Sequence, residues 1–179
     1  MTTTPDHDSI FSVYDDIICD ATMEQTMQAA TWYSEAQAYA VQLATRHDTY
    51  LDIAAGVIAA FSPRTKWAQN VLNAELFLSG EEVPTLGNNV KMAQAVMGSG
   101  IDALKGRKTN SFAKNIAGNM NVVTIDVWMI RAAGYNRLDA NKSMYDMMEN
   151  VIQELAFIYS VSPAQLQALI WIVVRGNHA

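Results

Sequence analysis

Two residues of this chain have the makings of a reactive pair: Lys108 and Asp126, 18 positions apart. Lys108 stands in Gly106-Arg107-Lys108-Thr109, and Asp126 opens Asp126-Val127-Trp128-Met129-Ile130-Arg131. A lysine amine that has lost its proton is a nucleophile, and its pKa falls when it is desolvated or crowded by other cations. Lys105, Arg107 and Lys114 are near enough along the chain to crowd it. A lone carboxylate stabilises positive charge developing at carbon, and can position or deprotonate an attacking group. Each residue also has an ordinary reading. Asp126 stands where a helix N-cap belongs, with Thr124 competing for the position. Lys108 by itself reads as a surface lysine or a phosphate contact.

The elements that must position this pair read as helices. Apolar residues recur at helical rather than alternating spacing, and proline and glycine are few. The pattern predicts helices over 9–19, 23–46, 50–61 and 65–78, the third apolar on most sides and broken by Ser62-Pro63-Arg64. Thr65 is the expected cap of the fourth, and Gly80 its stop. A short helix over 89–97 precedes the Gly98-Ser99-Gly100 breaker. The lysine helix is predicted over 107–117, a turn at Gly118 to Asn121 follows, and the aspartate helix runs to Ala133. Helices over 143–159 and 163–175 complete the chain, the last opening on Ser162-Pro163-Ala164-Gln165, a capping box with proline at the first helical position. Val122-Val123-Thr124-Ile125 has strand composition but reads as a buried entry into a helix. The expected fold class is all-α, eight to ten helices in a single domain over 1–179.

Composition narrows the function classes. Half of the 179 residues are apolar, enough for a substantial core. The single Cys19 excludes an intrachain disulfide and a four-cysteine cluster, and His7, His47 and His178 are far apart. No metal and no cofactor is expected. No run approaches the ~20 apolar residues of a membrane span, and the polar N-terminus lacks a signal-peptide pattern, so no membrane partner and a cytoplasmic location are expected. The net charge of −6 is uneven. Residues 1–60 hold nine acids and one base, whereas residues 101–142 hold seven bases and three acids. Positive charge is therefore concentrated around Lys108 and Asp126, as a phosphate-binding face requires; a chance cluster of solvated helix ends fits the same count.

The helix, tight turn and helix carrying this lysine and aspartate resemble the core of the helix-hairpin-helix DNA glycosylase superfamily. Ile58 to Thr65, followed by Asn70, is similar to the stretch where a buried helix of that superfamily ends in a serine-rich turn facing DNA. Arg131 stands where the superfamily often has arginine. The resemblance covers about residues 50–138, with one departure: Leu104 occupies the place of the first hairpin glycine, and only Gly106 of the glycine pair is kept. The chain is also similar to uncharacterised proteins of actinobacterial phages, which share the Ser62 to Thr65 turn, the Lys108 to Asp126 block and a terminal Gln167, Trp171, Arg175 helix.

The superfamily resemblance implies two helical lobes flanking a groove, a central one from about 50–138 and a second from 1–46 and 143–175. It implies Lys108 and Asp126 as catalytic residues, and DNA as a salt-sensitive partner held by Arg64, Lys66, Lys105, Gly106, Arg107, Lys114 and Arg131. Trp67 and Tyr135 are the base-stacking candidates, while Trp128 and Trp171, set in apolar helical patterns, read as core. The implied reaction is base excision, with Asp126 stabilising the cationic sugar and Lys108 forming a Schiff base that leads to strand cleavage. Two other readings stay open. One is a phage transferase that attaches amines to activated DNA bases, with Lys108 binding an anionic leaving group and Asp126 deprotonating the amine. The other is a DNA- or protein-binding relic of the fold.

Overall fold

A computed structural model describes residues 6–85, 87–136 and 141–176. Arg137 and Asp139 of the basic stretch, the first five residues and His178 lie outside the described residues. Among the described residues all regular structure is helical and no strand is present. The helices are α1 (His7–Cys19), α2 (Met23–Arg46), α3 (Leu51–Phe61), α4 (Trp67–Leu78), α5 (Gly87–Ser99), α6 (Arg107–Ile116), α7 (Val127–Ala132), α8 (Lys142–Ile158) and α9 (Pro163–Arg175), with one 3₁₀ turn at Ile101–Ala103. No single helix among them is long and apolar enough to cross a membrane.

Local chemistry accounts for most of the boundaries. The capping box at Ser162 forms in full, with Pro163 at the start of α9. Asn141 caps α8 through its side chain, and Gly80 takes the positive φ of 78° that stops α4. Thr65 does not cap α4. Its hydroxyl donates to the Pro63 carbonyl, and Lys66 holds the N-cap position without a side-chain bond.

The helices assort into two compact units. The first comprises residues 1–32 and 125–179, the second residues 33–124, so α2 contributes to both. In the second unit α3 is the hub. Every residue from Ala54 to Phe61 is buried, and α4, α5 and α6 pack around it. Small side chains allow this close approach: a Cβ at Gly56 would lie 2.6 Å from Val96 Cγ1 on α5. In the first unit α1, α8 and α9 pack on one another, and α7 packs on α9. Tyr14, Met129, Met144, Met148 and Ile152 are fully buried there. Other methionines, Met23, Met27 and Met97, are exposed.

Candidate functional site

The lysine helix is anchored at both ends. Its C-terminal end holds Asn115, which is fully buried. Asn115 Nδ2 donates to the carbonyls of Asn119 and Val122 at 2.8 and 2.9 Å, and its Oδ1 accepts from the Thr124 hydroxyl at 2.7 Å. That one side chain fixes the turn leaving α6 and draws the Thr124 hydroxyl to itself, while Asp126 holds the N-cap position of α7. Gly118, at φ 104°, completes the turn, where a Cβ would collide with the Gln37 amide.

At the other end Lys108 occupies the first turn of α6, half-buried. Its Nζ donates to Ser62 Oγ at 2.8 Å and lies 5.0 Å from the centre of the Phe112 ring. Ser62 terminates the buried α3, and the turn after it is tightly held. Arg64 sits at φ 61°, a left-handed conformation that costs a non-glycine residue on the order of 1 kcal/mol. The Pro63 carbonyl accepts from the Thr65 hydroxyl and from Nδ2 of the buried Asn89. Asn70, four positions beyond Lys66 on α4, is buried with no hydrogen-bond partner for its Oδ1. Such a group is costly in a purely structural role.

The other basic candidates of this unit spread along its surface. Lys105 is exposed, and its amine donates to the Asp102 carbonyl. Gly106 is the N-cap of α6, with an ordinary extended backbone at φ −72°. Leu104, in place of the first hairpin glycine, is buried. Arg107 is half-buried in the same helical turn as Lys108, whereas Arg64 and Lys66 are exposed beside the Ser62 turn. Lys114 lies at the far end of α6, lining a depression of about 420 Å³ with Asp52, Ser99, Asp102 and Asn119. Two carboxylates there make it a poor phosphate contact. Trp67 opens α4 and packs half-buried against the α3 core.

Asp126 belongs to the other unit, at the N-cap of α7. Its Oδ1 accepts from the backbone amides of Trp128 and Met129 at 2.8 and 3.1 Å, so the capping role is real. Its Oδ2 does something a cap does not require. It accepts from the indole Nε1 of Trp171 on α9 at 3.1 Å. Below it the buried Tyr14 hydroxyl donates to the Met129 carbonyl, and burial together with the Asp126 charge pushes the Tyr14 pKa up, keeping it a donor.

Trp128 and Trp171, expected in the core, are only half-buried and carry cations. The Arg131 guanidinium lies 5.3 Å from the Trp128 ring centre, and that of Arg175 lies 4.7 Å from Trp171 and 5.9 Å from Trp128. Trp32 packs against Trp171 at 5.5 Å. The Tyr135 hydroxyl accepts from the Asp6 amide, and no ring stacking was found for it among the described residues. Helical periodicity could not single out Trp128, Trp171 or Arg175, because it separates a buried face from an exposed one and these residues lie on the boundary. Ser62 lies 46 positions from Lys108, and no local pattern connects them.

The fold and these contacts define an all-α protein with a pinned amine in one unit and a multiply bonded carboxylate in the other. The chain belongs to a family of unknown function, DUF7178, which matches residues 2–178. No curated protein and no solved structure matches it.

Proposed function

We propose that the chain is an enzyme acting on a DNA base or its sugar, of the N-glycosylase/lyase type, with Asp126 and Lys108 as its reactive groups. The observation that carries this reading is the setting of Lys108. A solvated surface lysine spends its entropy freely, but this one is half-buried, directed onto Ser62 and laid against Phe112. An amine so placed is oriented before a substrate arrives, which lowers the entropy lost on reaching a reactive geometry. Asp126 is held in place by three N–H donors, as a group positioned to stabilise a cationic sugar must be.

The test uses DNA substrates carrying damaged or modified bases, with Asp126→Asn and Lys108→Ala as variants. Asp126→Asn lowers base release by more than about 100-fold, and borohydride traps the wild-type chain on DNA but not Lys108→Ala. Base release that survives in Lys108→Ala without trapping demotes Lys108 to a phosphate contact. A second reading, DNA binding without turnover, is favoured by the buried Leu104 and by the ordinary extended backbone of Gly106, which leave the hairpin without its glycine pair. DNA that binds and is never altered decides for it.

A further inference from the structure

The first unit holds two arginines whose situation is unusual. Arg131 and Arg175 each lie against indole rings, and both guanidinium groups reach the same one, Trp128. Among the described residues neither guanidinium has a hydrogen-bond or carboxylate partner. The nearest acid on these elements, Asp126, does not serve them: both of its oxygens are occupied by N–H donors. Each arginine does stand in the last turn of its helix, where a cation complements the helix dipole. That role requires neither ring contact nor convergence on one indole.

Stacking changes what an arginine can do. Contact with the ring restrains the guanidinium without using its N–H groups, so less entropy is lost on binding. Two such cations near one ring raise the local positive potential, which favours an anion lying with them. Their separation cannot exceed the sum of their distances to the Trp128 centre, a span that two linked phosphates can bridge. The group with complementary geometry is a phosphate oxyanion, which accepts two parallel N–H bonds from each fork.

We infer that Arg131 and Arg175, held by Trp128 and Trp171, form a phosphate clamp. The phosphates come either from a nucleic-acid backbone or from a free diphosphate. The first source deepens the DNA reading above, and the second is independent of it. Trp171 joins the clamp to the proposed chemistry, because the same indole that supports Arg175 donates to Asp126.

The full chain is titrated at low ionic strength with sodium pyrophosphate and, separately, with a short thymidine oligonucleotide, following tryptophan fluorescence and heat. At least one of the two binds and perturbs the fluorescence. Arg131→Gln and Arg175→Gln each weaken that binding roughly tenfold, and for the oligonucleotide each lowers the slope of log affinity against log salt by about one. Trp128→Leu, which keeps an apolar side chain but removes the shared ring, weakens it as well. Lys91→Gln, an exposed cation on α5, leaves it unchanged. Thermal melts followed by circular dichroism confirm that each variant is folded. Pyrophosphate binding without oligonucleotide binding keeps the clamp and removes the DNA reading. Failure of both ligands, or equal losses in Lys91→Gln and the arginine variants, overturns the clamp.

Discussion

The surroundings of Lys108 and those of Asp126 solve opposite problems. Around Lys108 the charged group meets a neutral hydroxyl and an aromatic face, on a helix whose N-terminus has no side-chain cap. Around Asp126 the charged group meets three N–H donors and serves as the cap itself. The carboxylate is therefore structural whatever else it does, whereas the amine caps no helix. The difference teaches where function is separable from stability. In the second unit the proposed reactive group can be removed without uncapping a helix, whereas in the first its removal also uncaps one. The strained Arg64 stands two positions beyond Ser62, the partner of Lys108, and strained backbone of this kind clusters at functional sites.

The largest effect should fall on neither group but on Asn115. Its side chain makes three bonds in a fully buried position. Asn115→Ala strands the Thr124 hydroxyl and two carbonyls and should cost about 3 kcal/mol or more in urea unfolding. A loss below about 1 kcal/mol would mean that the turn after α6 is held by other means. Next comes the contrast itself. Asp126→Ala should cost about 2 kcal/mol, a full cap plus the Trp171 bond, while Lys108→Ala should cost about 1 kcal/mol or less. Equal losses at the two positions would break the comparison.

Ser62→Ala sharpens it further. Stability should change by less than about 1 kcal/mol, since the half-exposed amine can turn to water. The readout is the pH dependence of Lys108 modification by a small aldehyde and cyanoborohydride, followed by mass spectrometry. With Ser62 gone, the amine loses its bond to that hydroxyl and is modified at a different rate across the profile; Ser62→Thr, which keeps a hydroxyl, restores the parent rate. An unchanged profile in Ser62→Ala would make the 2.8 Å contact incidental to the amine.

How much of this was legible in the sequence depends on range. Helix ends that carry their own signal were read within a few residues: Ser162 with Gln165, Pro163, Gly80, Gly118. Thr65 and Thr124 were misread as cap candidates because a hydroxyl near a helix start has other acceptors, here the Pro63 carbonyl and Asn115. The candidate pair was visible as residue types and spacing, but its partners were not. Ser62 reaches Lys108 across 46 positions, and Trp171 reaches Asp126 across 45. Trp128 and Trp171 have the sequence context of core residues, and only packing shows that one edge of each stays open to arginine.

The smallest predicted effect tests the second unit away from its lysine. Glu75 on α4 accepts from Arg46 at the end of α2 and from Nε2 of His47. Partial burial pushes the Glu75 carboxyl up, but the bonds from Arg46 and His47 outweigh it and hold the group below its usual 4.5. The sign follows from proton linkage. The unfolded chain binds this proton more readily than the folded one, so the stabilisation is fully present above the unfolded value. It fades as pH falls through the lower folded value. Glu75→Gln should therefore be slightly less stable than the parent at neutral pH and should lose less on acidification, the two curves converging at the acid end. Because Arg46 is largely exposed, the difference should be small and should shrink with added salt. Asp126→Ala supplies the contrast: the amides and the indole N–H that Asp126 accepts from carry no net charge, so its neutral-pH loss should be less sensitive to salt. A Glu75→Gln difference as salt-resistant as that one would mean that Glu75 acts through packing rather than charge.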